Sequence, residues 1–326
     1  MLLPVNEGLG EVSELLMLSA SLIYLMAFIF FAWDMGTLST LRVTTRSKAR
    51  AHAGTPQSQV ASSAGDAASE RDTQPPTKTG KVALGLSVLG FIVHLAAVTT
   101  RGVAARRVPW GNLYEYFTTG ALVVVTVFLV LLIFKNLRFL GTFIIGIALL
   151  MMCAATIGFP TPVGHLVPAL QSYWLIIHVS VAVIASALFT VSFALVILQL
   201  LKARAEAGGS IRRWIWLERV PSSNELDNLS YRLTTVAFAC WTFTLIAGAI
   251  WAEQAWGRYW GWDPKEVWTF VIWAVYAGYL HARSTGGWRG TRSAVINIAG
   301  FTCIIINSTL VNVFANGLHS YAGLDQ

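Results

Sequence analysis

The feature that most constrains this chain is a series of long apolar runs almost free of charge. They cover Leu15–Trp33, Val82–Val98, Leu113–Phe134, Phe139–Gly158, Tyr173–Leu201, Leu229–Ile250, Val267–His281 and Ala294–Phe314. About 20 apolar residues cross a bilayer as a helix. Lipid offers no partner to an open backbone, so each run has to satisfy its own hydrogen bonds. A closed barrel would need strands of alternating polarity, and these runs do not alternate. The expectation is therefore all-α: a polytopic transmembrane helical bundle of about eight spans. Only 12% of the 326 residues are charged, about half the share in a soluble domain.

Charge gives the orientation. With the N-terminus placed outside, 18 of the 23 Lys and Arg fall on the inner side, in segments 34–81, 135–138, 202–232 and 282–292. The remaining five are Arg101, Arg106, Arg107, Arg258 and Lys265. Basic loops stay in the cytoplasm, so both termini are expected to be extracytoplasmic. The net charge of +7 is then explained by topology, and nucleic acid is not expected as a partner. Glu7, Glu11 and Glu14 precede the first run and no Lys or Arg does. That is unlike a signal peptide, so the run reads as a true first span.

Three regions follow: a first span in 1–41, a cytoplasmic linker in 42–80, and a seven-span core in 81–326. The linker is rich in Ala, Ser, Thr, Gln and Pro and cannot bury a core, so disorder is expected. Ile211–Val220, with Arg212, Arg213, Trp214 and Trp216, reads as an interfacial helix on the inner leaflet. Cys153, Cys240 and Cys303 stand singly in apolar runs. Without C-x-x-C or C-x-x-C-H, neither thiol exchange nor a c-type cytochrome is indicated.

The densest local signal is Trp256-Gly257-Arg258-Tyr259-Trp260-Gly261-Trp262-Asp263-Pro264-Lys265-Glu266-Val267-Trp268, within an outer loop at 251–268. Tryptophan at a span end is ordinarily an interfacial anchor. Here there are more than a belt needs, and Gly257 and Gly261 would let aromatic rings approach a flat ligand. Asp263, Pro264 and Glu266 also suit the N-cap, N1 and N3 positions of a helix start.

Six histidines accompany this loop. His52 falls in the linker and His165 in an outer loop. His94, His178, His281 and His319 lie in or beside apolar runs, where an ionisable ring ordinarily has a task. His178, near the outer start of span five, and His319, just past span eight, share the side of the Trp-rich loop. Two neutral imidazoles on opposite faces of a macrocycle hold haem iron, aromatic rings would cover its faces, and Arg258 or Lys265 could meet its propionates. Asn307, Ser308, Asn312 and Asn316 share a broad face of span eight, read chiefly as glue between helices.

The Trp-Gly-x-Tyr-Trp-Gly-Trp-Asp-Pro-Lys-Glu-x-Trp string resembles the WWD motif of the CcsA/ResC family of system II cytochrome c biogenesis. The resemblance takes in Pro109, Asn112, Tyr114 and Glu115, Ser172-Tyr173-Trp174 leading to His178, Leu280-His281, and Gly317-Leu318-His319-Ser320-Tyr321. It implies a plasma-membrane subunit that binds haem b, moves it outward and presents it for thioether attachment to apocytochrome c. The acceptor segment is C-x-x-C-H, the membrane partner is of ResB type, and a thioredoxin-like protein keeps the thiols reduced. It implies that Trp256, Tyr259, Trp260, Gly261, Trp262, Asp263 and Trp268 bind the cofactor, with His178 and His319 as outer axial ligands. His281 would be a ligand within the membrane, nearer the inner surface. No residue reads as a nucleophile or general acid for the thioether step. A transporter, or an electron-transfer subunit with His94 and His178 around a permanent b-type haem, are the competing readings.

Overall fold

The computed structural model describes residues 4–52, 77–166, 170–208, 215–315 and 317–319, without the side chains of 37–52, 215 and 219. The described residues are all helical or irregular, with no strand. Eight long helices follow in order: α1 Glu7–His52, α2 Lys78–Ala105, α3 Leu113–Phe134, α4 Gly141–Cys153, α5 Tyr173–Glu206, α6 Ser223–Trp256, α7 Pro264–Ser284 and α8 Thr291–Ser308. A short α9, Leu310–Phe314, completes the set. Most begin where the sequence supplies a cap. Asn112, Ser172 and Asp263 each accept a backbone N–H of the first turn, and Ser222 with Glu225 forms a full capping box.

Seven of the helical segments are long and apolar enough to cross a membrane, which makes the protein a polytopic helical bundle. The 21-residue α7 has the length but is not among the seven. Tryptophan, tyrosine, Lys265, Glu266, His281 and Arg283 dilute its apolar content. α1 pairs along α2, and α5 along α6. α5 sits between two cores. One joins it to α1–α4 through residues such as Phe31, Phe128, Ile144 and Leu195. The other joins it to α6–α8 through Phe189, Trp241, Tyr276 and Phe301.

The backbone of α1 is described as far as His52, inside the expected 42–80 linker, and residues 53–76 of that linker lie outside the described residues. Two departures from the sequence reading, at the interfacial segment and in span eight, have physical causes. The segment read as an interfacial helix is described only from Ile215, as a 3-10 turn. Its Leu217 and Val220 are buried in the first core, and Lys202 Nζ donates to the Leu217 carbonyl, so apolar burial holds this turn to the bundle. Span eight breaks at Thr309, where α8 gives way to α9. There Lys265 Nζ donates to the carbonyl of Asn307, an acceptor that an unbroken helix would use for itself.

Both ends of the bundle carry buried ionic groups. At one end Arg283, on α7, bonds Asp227 of α6 at 2.6 Å, and Ser293 of α8 donates to the same carboxylate. The other end gathers the α2–α3 turn, the starts of α5 and α7, the end of α6 and the tail after α9. Asn6 N–H donates to Ala104 O, which places the start of α1 at that end too. There Glu115, with no exposed surface, receives Arg101 Nε at 3.1 Å, Arg107 at 2.7 Å and the Gly111 N–H at 2.7 Å. This network fixes Trp110-Gly111-Asn112 as one wall of a cleft.

Candidate functional site

The cleft opens between the α2–α3 turn, α5, α6, the α6–α7 loop and α9. His178 and His319 both line it, together with Trp251, Trp260, Lys265 and Glu266. His178 rises from the second turn of α5 and lies against the backbone of α6. Its Nδ1 meets the carbonyl of Thr244 at 2.9 Å. A carbonyl only accepts, so Nδ1 carries the proton and Nε2 keeps its lone pair. The approach depends on Gly248, where a Cβ would stand 2.7 Å from His178 Cε1.

His319 is held in the same way by a different partner. Its Nδ1 lies 2.7 Å from Asp263 Oδ2, and Leu318 N–H donates to Asp263 Oδ1. Asp263 is also the N-cap of α7, with its backbone N–H bonded to Glu266, in the capping box expected from sequence. Gly317 permits the closure, since a Cβ there would sit 2.3 Å from Asp263 Oδ1. Burial raises the Asp263 pKa, but the bonds from His319 and Leu318 outweigh it and hold the carboxyl below its usual range. Burial lowers the pKa of His319, against the pull of Asp263, so its neutral form is favoured. Nδ1 is therefore the donor here too, and Nε2 is left open.

Trp251 ties the two imidazoles together. It is buried, stacks on His178 at 6.0 Å and meets His319 edge-on at 5.4 Å. Trp256 closes on His319 at 4.7 Å. The ammonium of Lys265 donates to Asn307 O and Asn312 Oδ1, which holds it at the cleft wall. Burial lowers the Lys265 pKa to about 7, against the pull of Asp263, so an entering anion would favour its charged form. Two imidazoles with unbonded Nε2 atoms, aromatic walls and this amine suit a flat, apolar, anionic macrocycle with a metal centre.

The other residues singled out in the sequence divide. Tyr259 and Trp260 line the cleft mouth. Trp262 is 75% exposed, with φ +59, and Trp268 is half-buried outside the cleft. Gly261 is packed under the guanidinium of Arg258, where a Cβ would coincide with it, so its closest neighbour is Arg258. His281 lies near the far end of α7, exposed, about 25 Å along the axis from the start of that helix. His94 is fully buried, edge-on to Tyr24 of α1, and does not reach the cleft. His165 is exposed in its loop. The side chain of His52, and Asn316, lie outside the described residues. Asn307, Ser308 and Asn312 line the cleft as well as joining helices. Trp251, Thr244 and Gly248 were not singled out from sequence. The i−3 and i−7 spacing of Gly248 and Thr244 within span six, below Trp251, was the available signal.

Comparison with known proteins agrees with this architecture. Residues 110–319 match the family described as cytochrome C assembly protein. The cytochrome c biogenesis protein CcsA of Guillardia theta is 35% identical over 263 residues, covering 75% of this chain and 86% of its own length. CcsA of Prochlorococcus marinus is 38% identical over 249 residues, with 68% and 78% covered. CcsA of Chlamydomonas reinhardtii is 35% identical, with 74% and 67% covered. Among solved structures, the cytochrome c haem lyase CcmF shares the fold, with a TM-score of 0.56 at 18% identity. The match covers 95% of this chain and 49% of that one, so the chain spans about half the length of the lyase. The chain belongs to the cytochrome c assembly protein family, beside the CcsA proteins of cytochrome c biogenesis.

Proposed function

We propose that this protein holds haem b between His178 and His319 at the extracytoplasmic end of the bundle and presents it for thioether attachment to apocytochrome c. The observation that carries the reading is the matched state of the two histidines. Each has Nδ1 tied to a fixed acceptor and Nε2 without a hydrogen bond, on a ring that lines one cleft. A hydrogen bond of this kind on the far nitrogen fixes the tautomer and raises the basicity of a metal-binding histidine.

The chain's own groups do the positioning. Trp251 and Trp260 would cover apolar surface, and Lys265 would meet a propionate, which favours its ammonium form. Haem supplies the iron and the two vinyl groups. The acceptor brings C-x-x-C-H, with its thiols kept reduced by a thioredoxin-like protein, and its histidine displaces one of the two imidazoles. A ResB-type partner would complete the route, with His281 as a ligand nearer the inner face of the plasma membrane. The exposed position of His281 suits a ligand completed by a second chain. The excess of Lys and Arg toward the far end supports the orientation.

The test is c-type cytochrome assembly in cells whose own copy is replaced. His178→Ala and His319→Ala should each abolish covalent haem attachment while the protein remains in the membrane. Normal assembly in both would refute the outer-ligand role.

A further inference from the structure

Glu266 is the third residue of α7 and is 9% exposed. Its two carboxyl oxygens have different surroundings. Oε2 accepts the N–H of Gly261 at 2.8 Å and the N–H of Asp263 at 3.1 Å. A capping box requires only the second of these. The first is added because Trp262, between the two donors, takes φ +59, the left-handed conformation in which successive N–H groups converge on an anion. A left-handed tryptophan is uncommon and carries a strain cost, so the loop is shaped around that oxygen. Oε1 is buried and, among the described residues, has no hydrogen-bond partner. Glu266 lines the cleft that also holds His178 and His319. An unpartnered buried carboxyl oxygen calls for a ligand or a role.

The neighbouring groups do not offer an equivalent atom. Asp263 has Oδ1 on Leu318 and Oδ2 on His319 and Lys265 N–H. The histidines have Nδ1 occupied, and Nε2 is assigned to iron. Lys265 donates two of its three N–H groups to Asn307 O and Asn312 Oδ1, and it is an amine, its pKa lowered to about 7 by burial, rather than a carboxyl. Glu266 Oε1 is thus a carboxyl oxygen without a hydrogen-bond partner among the described residues, on a residue that lines the cleft.

We propose that Glu266 is a catalytic proton carrier in thioether formation, an inference that rests on the haem-presenting function above. Oε1 accepts the proton of an entering cysteine thiol. The sulfur electron pair forms the C–S bond at the inner carbon of a haem vinyl group. The π pair of that vinyl group takes the proton from Oε1 at its terminal carbon, and Glu266 is again a carboxylate. One S–H bond and one C=C π bond are lost, one C–S and one C–H bond are gained, and no oxidant or reductant is consumed. The same oxygen serves the second thiol. Anchoring of Oε2 by two N–H groups keeps the carboxyl plane fixed while Oε1 gains and loses its proton.

The test uses the full-length protein co-purified with its membrane partner and haem, and a C-x-x-C-H peptide as acceptor. Glu266→Gln preserves the cap, because glutamine serves equally at this position, but cannot carry a proton. The variant should retain haem with an unchanged reduced spectrum, attach it to the peptide about 10²-fold more slowly or worse, and lose the solvent-deuterium effect on the attachment rate. Attachment at the wild-type rate with haem retained would overturn the proposal. Loss of haem from Glu266→Gln would also overturn it, by making Oε1 a group that binds the ligand. If wild-type protein itself carries no haem, the haem-presenting function fails first, and the shared spectrum of wild type and variant reveals that.

Discussion

Asp263 Oδ2 and His319 Nδ1 lie 2.7 Å apart across 56 residues of chain. The residue that starts α7 thus also fixes the tautomer of the tail histidine. Asp263 accepts from Lys265 N–H as a cap, from Leu318 N–H as a clasp and from His319 as an orienter. The Trp-rich loop and the distant tail form one structure through this carboxylate.

Asp263→Asn keeps the N-cap, since Asn and Asp serve that position equally, but removes the charge from the bond to His319. A charge-assisted hydrogen bond is about twice as strong as a neutral one. Loss of such outer partners typically costs about 10–100-fold in metal affinity. Haem retention by purified Asp263→Asn, titrated against a haem-scavenging apoprotein, should weaken by that order with little change in unfolding temperature. Asp263→Ala should lower both.

Gly248→Ala tests the seat of His178. An alanine inside a helix ordinarily gains up to about 1 kcal/mol over glycine. Here its Cβ would stand 2.7 Å from the imidazole, and overpacking costs about 1–3 kcal/mol. The clash should win. Thermal unfolding in detergent should show net destabilisation, and the haem absorption bands should shift.

Glu115 carries two arginines and the Gly111 N–H while fully buried. Removing one partner of a buried ion pair costs about 3–5 kcal/mol, because the charge left behind is unpaired. Glu115→Ala leaves Arg101, only 1% exposed, in that position. It should be among the most destabilising single changes, read as loss of folded protein by fluorescence size-exclusion chromatography.

Acid should release the tail. The Asp263 pKa is depressed in the folded protein, so its stabilisation is complete above about 3.8 and is lost as pH falls through the folded value. The His319 pKa is also depressed. Its unfolded form binds a proton below about 6.5 while the folded form does not, so stability declines as pH drops below 6.5. Both effects have the same sign. Protection of His319 from a histidine-modifying reagent should be constant above neutrality and fall steadily on acidification.

The bundle was legible in the sequence because lipid leaves the backbone few options. Leu113–Phe134 was bounded to the residue, since Asn112 caps one end and Lys135 follows the other. The start of α7 was legible because Asp263, Pro264 and Glu266 each carry a positional preference. The pairing of His178 with Thr244 was not legible. Its acceptor is a backbone carbonyl on another helix, and any residue type supplies one. The exposure of Trp262 was hidden for a related reason. It follows from a left-handed φ at a non-glycine position, imposed by two N–H groups turning to Glu266. The break at Thr309 depends on Lys265 reaching Asn307 from a different helix, and no local pattern announces it.

The most direct test is the reduced-minus-oxidised absorption spectrum of protein purified with its partner, beside His178→Ala and His319→Ala, with and without added imidazole. Wild-type protein should show a low-spin haem signal, lost or shifted in each variant and restored in part by imidazole. A haem signal unchanged in both variants would contradict the claim that His178 and His319 hold the iron.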